Sequence, residues 1–375
     1  MLEIFLIFLR LGAIGFGGPI ALVALIQQEV CNTRKWVTHA EFAEIFSICK
    51  LLPGPVAVQV AIYIGYKRAG RLGGIVSGIA FNLPALLLII SLSILYAYNN
   101  IATNPKTLYL FKFMQDATLA VIILATWDLG RNYINNLRTI ITMILGAVVI
   151  FIYPTWEPLA IIVIGLLGVA KLKAPTFKSF AIAASMPNLA AVAPSTILHD
   201  KLAQLLIICL KAGWLSFGTG LAIIPLLQGD LVSHTHWLTN KQFIDGVALG
   251  QITPGPTTIS IVFFGYQAAG ISGLIIATLG FYIPAFINVL IIIPLLWKKL
   301  TQTPYLQTFI NWAFPVIIGG IISATIKIGY TSMTHYYDII LSIIALVIIS
   351  KKILPIWAVI PLYGITGLAI GIFHY

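Results

Sequence analysis

The sequence predicts an all-α polytopic membrane protein made of two halves in inverted topology. Each half is expected to hold about five spans plus one re-entrant Pro-Gly-Pro hairpin, or two short crossings in its place. Three observations predict this. The 375 residues are 59% hydrophobic and 9% charged, with mean hydropathy +1.00, whereas a soluble domain carries about 25% charged residues. Apolar runs of about twenty residues recur from end to end. Two Pro-Gly-Pro motifs interrupt that pattern at corresponding places, in "CKLLPGPVAVQV" and "GQITPGPTTISI". A β-barrel is excluded, because barrels read as short alternating segments.

The N-terminus has no basic region ahead of its apolar run and is not expected to be a cleaved signal peptide. The net charge of +11 belongs to loops, where membrane insertion favours Lys and Arg, and not to a nucleic-acid surface. Cys31, Cys49 and Cys209 make no even framework and no C-x-x-C spacing. They read as small hydrophobes.

The chain is duplicated. "FLRLGAIGFGGP" matches "CLKAGWLSFGTG" at an offset of 201, with Arg10 on Lys211, Gly12 on Gly213 and Gly17 on Gly218. The register continues through Glu29 and Asp230, Trp36 and Trp237, and Glu44 and Asp245, to Pro53-Gly54-Pro55 on Pro254-Gly255-Pro256. One residue is then lost, and Gly70, Phe81 and Pro84 fall on Gly270, Phe281 and Pro284. Residues 1–172 form the N-terminal membrane repeat, 173–201 a connecting segment expected in the cytoplasm, and 202–375 the C-terminal repeat.

Apolar segments run over roughly 4–27, 72–98, 108–129, 139–153 and 157–170, then 204–227, 271–297, 305–328, 337–350 and 354–373. Between the first two of each set lie the limbs 41–51 and 55–66, or 242–252 and 256–266. Each limb reaches ~15–18 Å, about half of the ~30 Å hydrocarbon core. A spanning broken helix and a re-entrant hairpin compete. With the hairpin, nearly all Lys and Arg fall on one side, and only Lys106, Lys241 and Lys327 face the other. The broken helix splits them almost evenly, so the charge bias favours the hairpin. Five spans is odd, which inverts the second half and places both termini outside.

Pro at a helix start is pre-set for the helix. After Pro53-Gly54-Pro55 the second limb therefore starts near mid-membrane, with free N–H groups and the positive end of its dipole. Such a start is tolerated only in protein or beside a wet cavity, and it is a ready anion site. Pro254-Gly255-Pro256 repeats this from the other side, with hydroxyls from Thr253, Thr257 and Thr258. Structural kinks are the plain alternative.

Arg10 and Lys211 lie inside the first span of each half and either face a cavity or snorkel to an interface. Lys50 adjoins the first tip, with Gln251 as its repeat mate. Glu44 and Asp245 serve either proton coupling or ion pairing with these cations. Lys112 and Asp116, four apart in one span, are expected to pair. Gly17, Gly18, Gly218 and Thr219 allow close backbone approach or line a substrate path. The six histidines sit in loops or at segment ends, and the sequence shows no metal spacing, nucleophile–base pair or nucleotide loop. It therefore reads as no enzyme and as needing no cofactor.

At these residues the chain resembles the long, two-domain members of the chromate ion transporter family. The motifs are "RLGAIGFGGP", "LLPGPVAVQVAIYIGYKRAG" with "FNLPA", "KAGWLSFGTGLAIIPLLQGDL", "ALGQITPGPTTISIVFFGYQAAG" and "FYIPAF". The resemblance covers residues 5–90 and 205–290. It implies a bacterial inner-membrane secondary transporter that exports chromate, a tetrahedral dianion similar to sulfate, with antiparallel halves. A passive oxyanion channel, or a transporter of sulfate or another anion, is the alternative. The implied partners are the oxyanion and the lipid bilayer, and a homodimer is left open. Two departures bear on selectivity. Lys50 stands where Gln is expected, and Thr219 stands where the second of three glycines is expected.

Overall fold

The computed structural model describes residues 1–16, 18–98, 105–153, 156–171, 200–216, 223–295 and 305–374. All their regular elements are helical, and four stretches are long and apolar enough to cross a membrane: Val56–Tyr98, Leu108–Asp128, Thr257–Leu295 and Gln307–Ser332.

Helix α1 (Leu2–Ile14) is followed by α2 (Gly18–Gln27) and a π-helical segment, Gln28–Thr33. The expectation of one span over 4–27 does not hold. Gly15 is extended (φ −79, ψ 98), and Gly18 has φ +82, so the helix stops and turns back. The Arg34 guanidinium reaches the Glu3 carboxylate at 2.9 Å, which sets the end of the π segment beside the start of α1.

Helix α3 (His39–Leu51) starts at a capping box. The Thr38 hydroxyl accepts from the Glu41 N–H at 3.2 Å, and the Glu41 carboxylate accepts from the Thr38 N–H at 2.8 Å. The helix ends at Leu52, the residue before Pro53, where proline disfavours helical backbone. Helix α4 (Val56–Tyr98) begins after Pro55. Near the end of its first limb, Lys67 bonds Glu41 at 2.6 Å and Arg68 lies 5.4 Å from the Trp36 ring. The limb therefore runs back along α3, and the two form an antiparallel hairpin with Pro-Gly-Pro at its tip. At Ala69–Gly70 (φ +65, ψ −159) the chain turns again. The second limb, 71–98, packs on the first, and the Ser77 hydroxyl donates to the Ala61 carbonyl at 2.8 Å.

That limb leads to the other end of the bundle. Helix α5 (Pro105–Tyr133) returns from there, starting beside Tyr96, whose ring lies 5.3 Å from that of Phe111. Helices α6 (Leu137–Ile152) and α7 (Glu157–Ala170) form a short pair. Arg138 and Lys171 both sit over Trp312, at 4.3 and 4.9 Å, so α6 begins where α7 ends.

The second half repeats this order. Helix α8 (Lys201–Leu215) stops at an extended Ser216 (φ −74, ψ 106). Helix α9 (Ile224–Gln228) and a π segment, Gly229–His234, follow. Lys201 lies 5.0 Å from the Trp237 ring, so the start of α8 lies beside the residues that follow the π segment. Helix α10 (Asn240–Ile252), a 3-10 turn at Thr257–Ile259 and α11 (Ser260–Ile287) make the second hairpin. Gly246 abuts Phe263 and Phe264, and Gly250 abuts Ser260. Helix α11 breaks at Ala269–Gly270 and continues into a π segment, Asn288–Ile292. Helices α12 (Tyr305–Ser332), α13 (Tyr336–Ser350) and α14 (Ile356–His374) complete the chain.

The halves are antiparallel. Gly74 of α4 packs against Leu290, and Gly78 against Phe286, so the numbers run in opposite directions along α4 and α11. Each half also embraces the other: α13 and α14 pack on α5, while α6 and α7 pack on α12.

The N-terminal end of α1 and the C-terminal part of α14 lie towards different ends of the bundle. Gly367 packs on the Tyr109 carbonyl, near the Tyr98 end of the bundle, whereas Glu3 lies at the Arg34 end. The expected Lys112–Asp116 pair is replaced. Lys112 bonds Asp338 of α13 at 3.1 Å, because that carboxylate, buried at the helix start, already accepts the Thr334 and His335 N–H groups at 2.9 and 2.8 Å.

Tight backbone contact holds the first helix of each half. A Cβ at Gly12 would collide with the Phe81 carbonyl oxygen, and one at Gly213 with that of Phe281. Gly12→Val should therefore destabilise the protein by about 1–3 kcal/mol or more. Gly130→Val, at a glycine with open space around it, should cost well under that. Thermal unfolding of the detergent-solubilised protein, followed by gel filtration, checks the difference.

Candidate functional site

The two Pro-Gly-Pro tips meet the ends of the opposite half's first helix. The Gly54 N–H donates to the Ser216 carbonyl. The Gly255 N–H donates to the Gly15 carbonyl at 2.6 Å. Gly15 and Ser216 are repeat mates, as are Gly54 and Gly255, so the two bonds are related by the inverted duplication. Only glycine suits the tips, because Gly54 has φ +128 and Gly255 φ +93. The second limbs of α4 and α11 press in at corresponding points, with Ala85 beside Gly255 and Ala285 beside Gly54.

The structure thus brings Pro53, Gly54, Pro55, Pro254, Gly255 and Pro256 into one region of the bundle. It also uses the tip glycine N–H groups to satisfy opposing carbonyls, so those two donors are not free for an anion in this arrangement. The first-turn amides of α4 remain, on the buried residues Val56, Ala57 and Val58.

Polar groups collect here without full pairing. The Pro53 carbonyl accepts from Gln59 Nε2 at 2.6 Å and from Asn288 Nδ2 at 2.5 Å. Gln59 Oε1, Asn288 Oδ1, Ser216 Oγ and Thr257 Oγ1 are buried with no partner. Thr253 donates to the Gly250 carbonyl at 2.9 Å, and Thr258 bonds the Tyr282 hydroxyl at 3.2 Å. Gln251, Thr257 and Ser260 line a cavity of about 10 Å³ with Phe243 and Phe264, room for one water and none for a tetrahedral oxyanion.

The charged residues divide by half. Arg10, Glu44 and Lys50 are exposed, and none makes an ion pair among the described residues. Lys50 sits in the last turn of α3, where a cation complements the dipole. Their mates Lys211, Asp245 and Gln251 are buried. Lys211 bonds Asp230 at 2.5 Å. Asp245 accepts from the Tyr96 hydroxyl and from Gln115 Nε2, both at 2.7 Å. Neither Glu44 nor Asp245 thus forms an ion pair with Arg10, Lys211 or Lys50 among the described residues. At the mouth of the first hairpin, the Lys67 hydrogen bond holds the Glu41 carboxyl down at about 2.

This asymmetry follows the packing. Helix α10 is covered by α5 and α14, whereas α3 touches mainly α4, with lighter contact to α2 and α12. Ala40, Ala43, Glu44, Ser47 and Lys50 form an exposed, small and polar stripe along α3. Gly18 opens α2. Gly17, Gly218 and Thr219 lie outside the described residues. Gln59, Asn288, Tyr96, Gln115, Asp230 and Glu157 were not singled out from sequence. The signal available was a polar residue inside an apolar run, and for Asp230 its pairing with Glu29.

One family's sequence model, described as Chromate transporter, matches residues 2–170 and 203–370. The chain belongs to the chromate transporter family. The match falls on both repeats, as the duplication requires. The chain is 30% identical to a "Chromate transport protein" of Cupriavidus metallidurans, over 93% of this chain and 88% of that one. It is 32% identical to a "Probable chromate transport protein" of Synechococcus elongatus, over 96% and 93%. A "Chromate transport protein" of Pseudomonas aeruginosa is 30% identical over 87% and 80%. No solved structure matches the chain significantly. Family and helices together make it a multi-pass membrane protein.

The asymmetry predicts unequal labelling of repeat mates. Ser47→Cys should react with a water-soluble maleimide, and Ala248→Cys, fully buried, should react at least tenfold more slowly. The native cysteines are buried and give a low background. Equal rates would sink the asymmetric arrangement.

Proposed function

We propose that the protein is a secondary transporter that exports chromate, a sulfate-like dianion, across a bacterial inner membrane. The observation that carries this is the meeting of two half-length hairpins from opposite ends, with buried polar groups left unpaired around their tips. Inverted-repeat transporters hold substrate where such interrupted helices meet. The relatives named as chromate transport proteins support the substrate.

In this reading the anion sits between the start of α4 and that of α11. The first-turn amides, Ser216, Thr257 and Gln251 supply neutral donors, and Lys50 and Arg10 supply positive charge on the side where α3 is open. The second tip is closed on a water-sized space. Substrate enters along the polar stripe of α3 and leaves when α10 becomes the uncovered hairpin. Pro53-Gly54-Pro55 and Pro254-Gly255-Pro256 keep the helix starts in place.

The test is uptake of radiolabelled chromate into proteoliposomes holding the full chain, with an imposed pH gradient and sulfate as competitor. Saturable uptake against a gradient is expected, with sulfate inhibiting. Gly54→Leu should abolish it, and Lys50→Gln should raise the half-saturating concentration about tenfold, the equivalent of ~1.4 kcal/mol. Flux that never exceeds equilibrium would identify a channel, and no flux from folded protein would reject the oxyanion.

A further inference from the structure

A buried charge cluster lies at the boundary between the halves. Lys211 of α8, Asp230 of the following π segment and Glu157 at the start of α7 are 6%, 1% and 2% exposed. Lys211 and Asp230 form the ion pair at 2.5 Å. Glu157 stands close enough to feel both charges, and it lies against Gly320 of α12, where a Cβ would meet its carboxyl group. Glu157 Oε2 is buried with no partner, as is Asp230 Oδ1.

The charge count decides the protonation state. The cluster holds one cation and two carboxylates. Lys211 neutralises Asp230, and among the described residues no cation pairs with Glu157. The surrounding elements offer no substitute. Lys327 of α12 lies over the Phe151 ring at 5.1 Å, and Arg138 and Lys171 lie over Trp312. His234 acts on Asp230. An ionised carboxylate with an unpaired oxygen and no access to water is untenable, whereas a neutral carboxylic acid is not.

We infer that Glu157 is a proton-binding site, holding one exchangeable proton that the Lys211–Asp230 pair controls. Lys211 stands about one turn before Ser216, the residue whose carbonyl holds the first tip. A shift of α8 that draws Lys211 away from Asp230, or toward an anion at the tips, leaves Asp230 bare beside a carboxylic acid. A proton then moves from the Glu157 carboxyl to Asp230, or one more is taken up, and the lysine's return expels it. This names the coupling ion and its site for the transporter reading, and in that respect rests on it.

Two measurements on the full-length protein in membranes test the inference. In infrared spectra, native protein should show a carboxylic acid C=O band that Glu157→Gln lacks. Asp230→Asn should lose the same band with Glu157 still present, because Lys211 then has one carboxylate left and ionises it. In proteoliposomes, Glu157→Gln should keep chromate exchange at equilibrium and lose its response to a pH gradient by tenfold or more. An unchanged band in both variants, or gradient-driven accumulation retained in Glu157→Gln, overturns the proton site. If native protein moves no oxyanion, the transporter reading fails alone, and the infrared comparison still decides Glu157.

Discussion

Two hydrogen bonds related by the duplication organise this molecule: Gly54 N–H to the Ser216 carbonyl, and Gly255 N–H to the Gly15 carbonyl. Each joins the broken end of one half's first helix to the hairpin tip of the other. Four chain breaks are thereby buried together, where each alone would leave backbone groups unpaired in a medium that cannot pair them. The requirement runs outward from there. The tips need glycine for their backbone angles. The first helices need Gly12 and Gly213 to lie close enough on α4 and α11 to reach those tips. The second limbs need small residues, Ala85 and Ala285, where the tips press in.

Much of this was legible because the duplication repeats the constrained positions. Gly12 with Gly213 and the two Pro-Gly-Pro motifs recur where backbone meets backbone, and a contact without a side chain tolerates one residue. The Pro-Gly-Pro hairpins could be read as half-length antiparallel limbs for the same reason. The first segment could not. Residues 4–27 are apolar throughout, and hydropathy does not distinguish a span from two limbs folded on each other. The break at Gly15–Phe16 rests on Glu3 meeting Arg34 and on the partner tip, both distant in sequence. The inversion was inferred from an odd number of crossings. It is seen instead in the packing, where Gly74 meets Leu290 and Gly78 meets Phe286.

The charged residues were found but misassigned, for a physical reason. Spacing along a helix suggests i, i+4 partners, as for Lys112 and Asp116, yet a buried carboxylate at a helix start is a stronger attractor. Asp338 already holds two backbone N–H groups in place, so its geometry is fixed before the lysine arrives. Asp245 shows the opposite case. It is held by a phenol and an amide, donors that hydropathy patterns do not flag.

The inverted halves share a backbone plan but differ in charge, and this bears on how they exchange roles. Arg10 and Lys211 are both cations, so either first helix can carry charge near the tips. Lys50 and Gln251 differ, and so do Glu29, paired to Arg34 at 3.1 Å, and Asp230, paired to Lys211. Covering α3 as α10 is now covered would bury Lys50 and Glu44, whereas uncovering α10 exposes a neutral amide and Asp245. Burying a lone cation is costly, and a dianion beside Lys50 removes much of that cost. In the proposed transport cycle, the empty protein would therefore favour the arrangement with α3 open, and a bound oxyanion would lower the barrier to closing it. The proposed coupling of substrate to movement requires that order of energies, and Lys50 at one tip with Gln251 at the other would supply it.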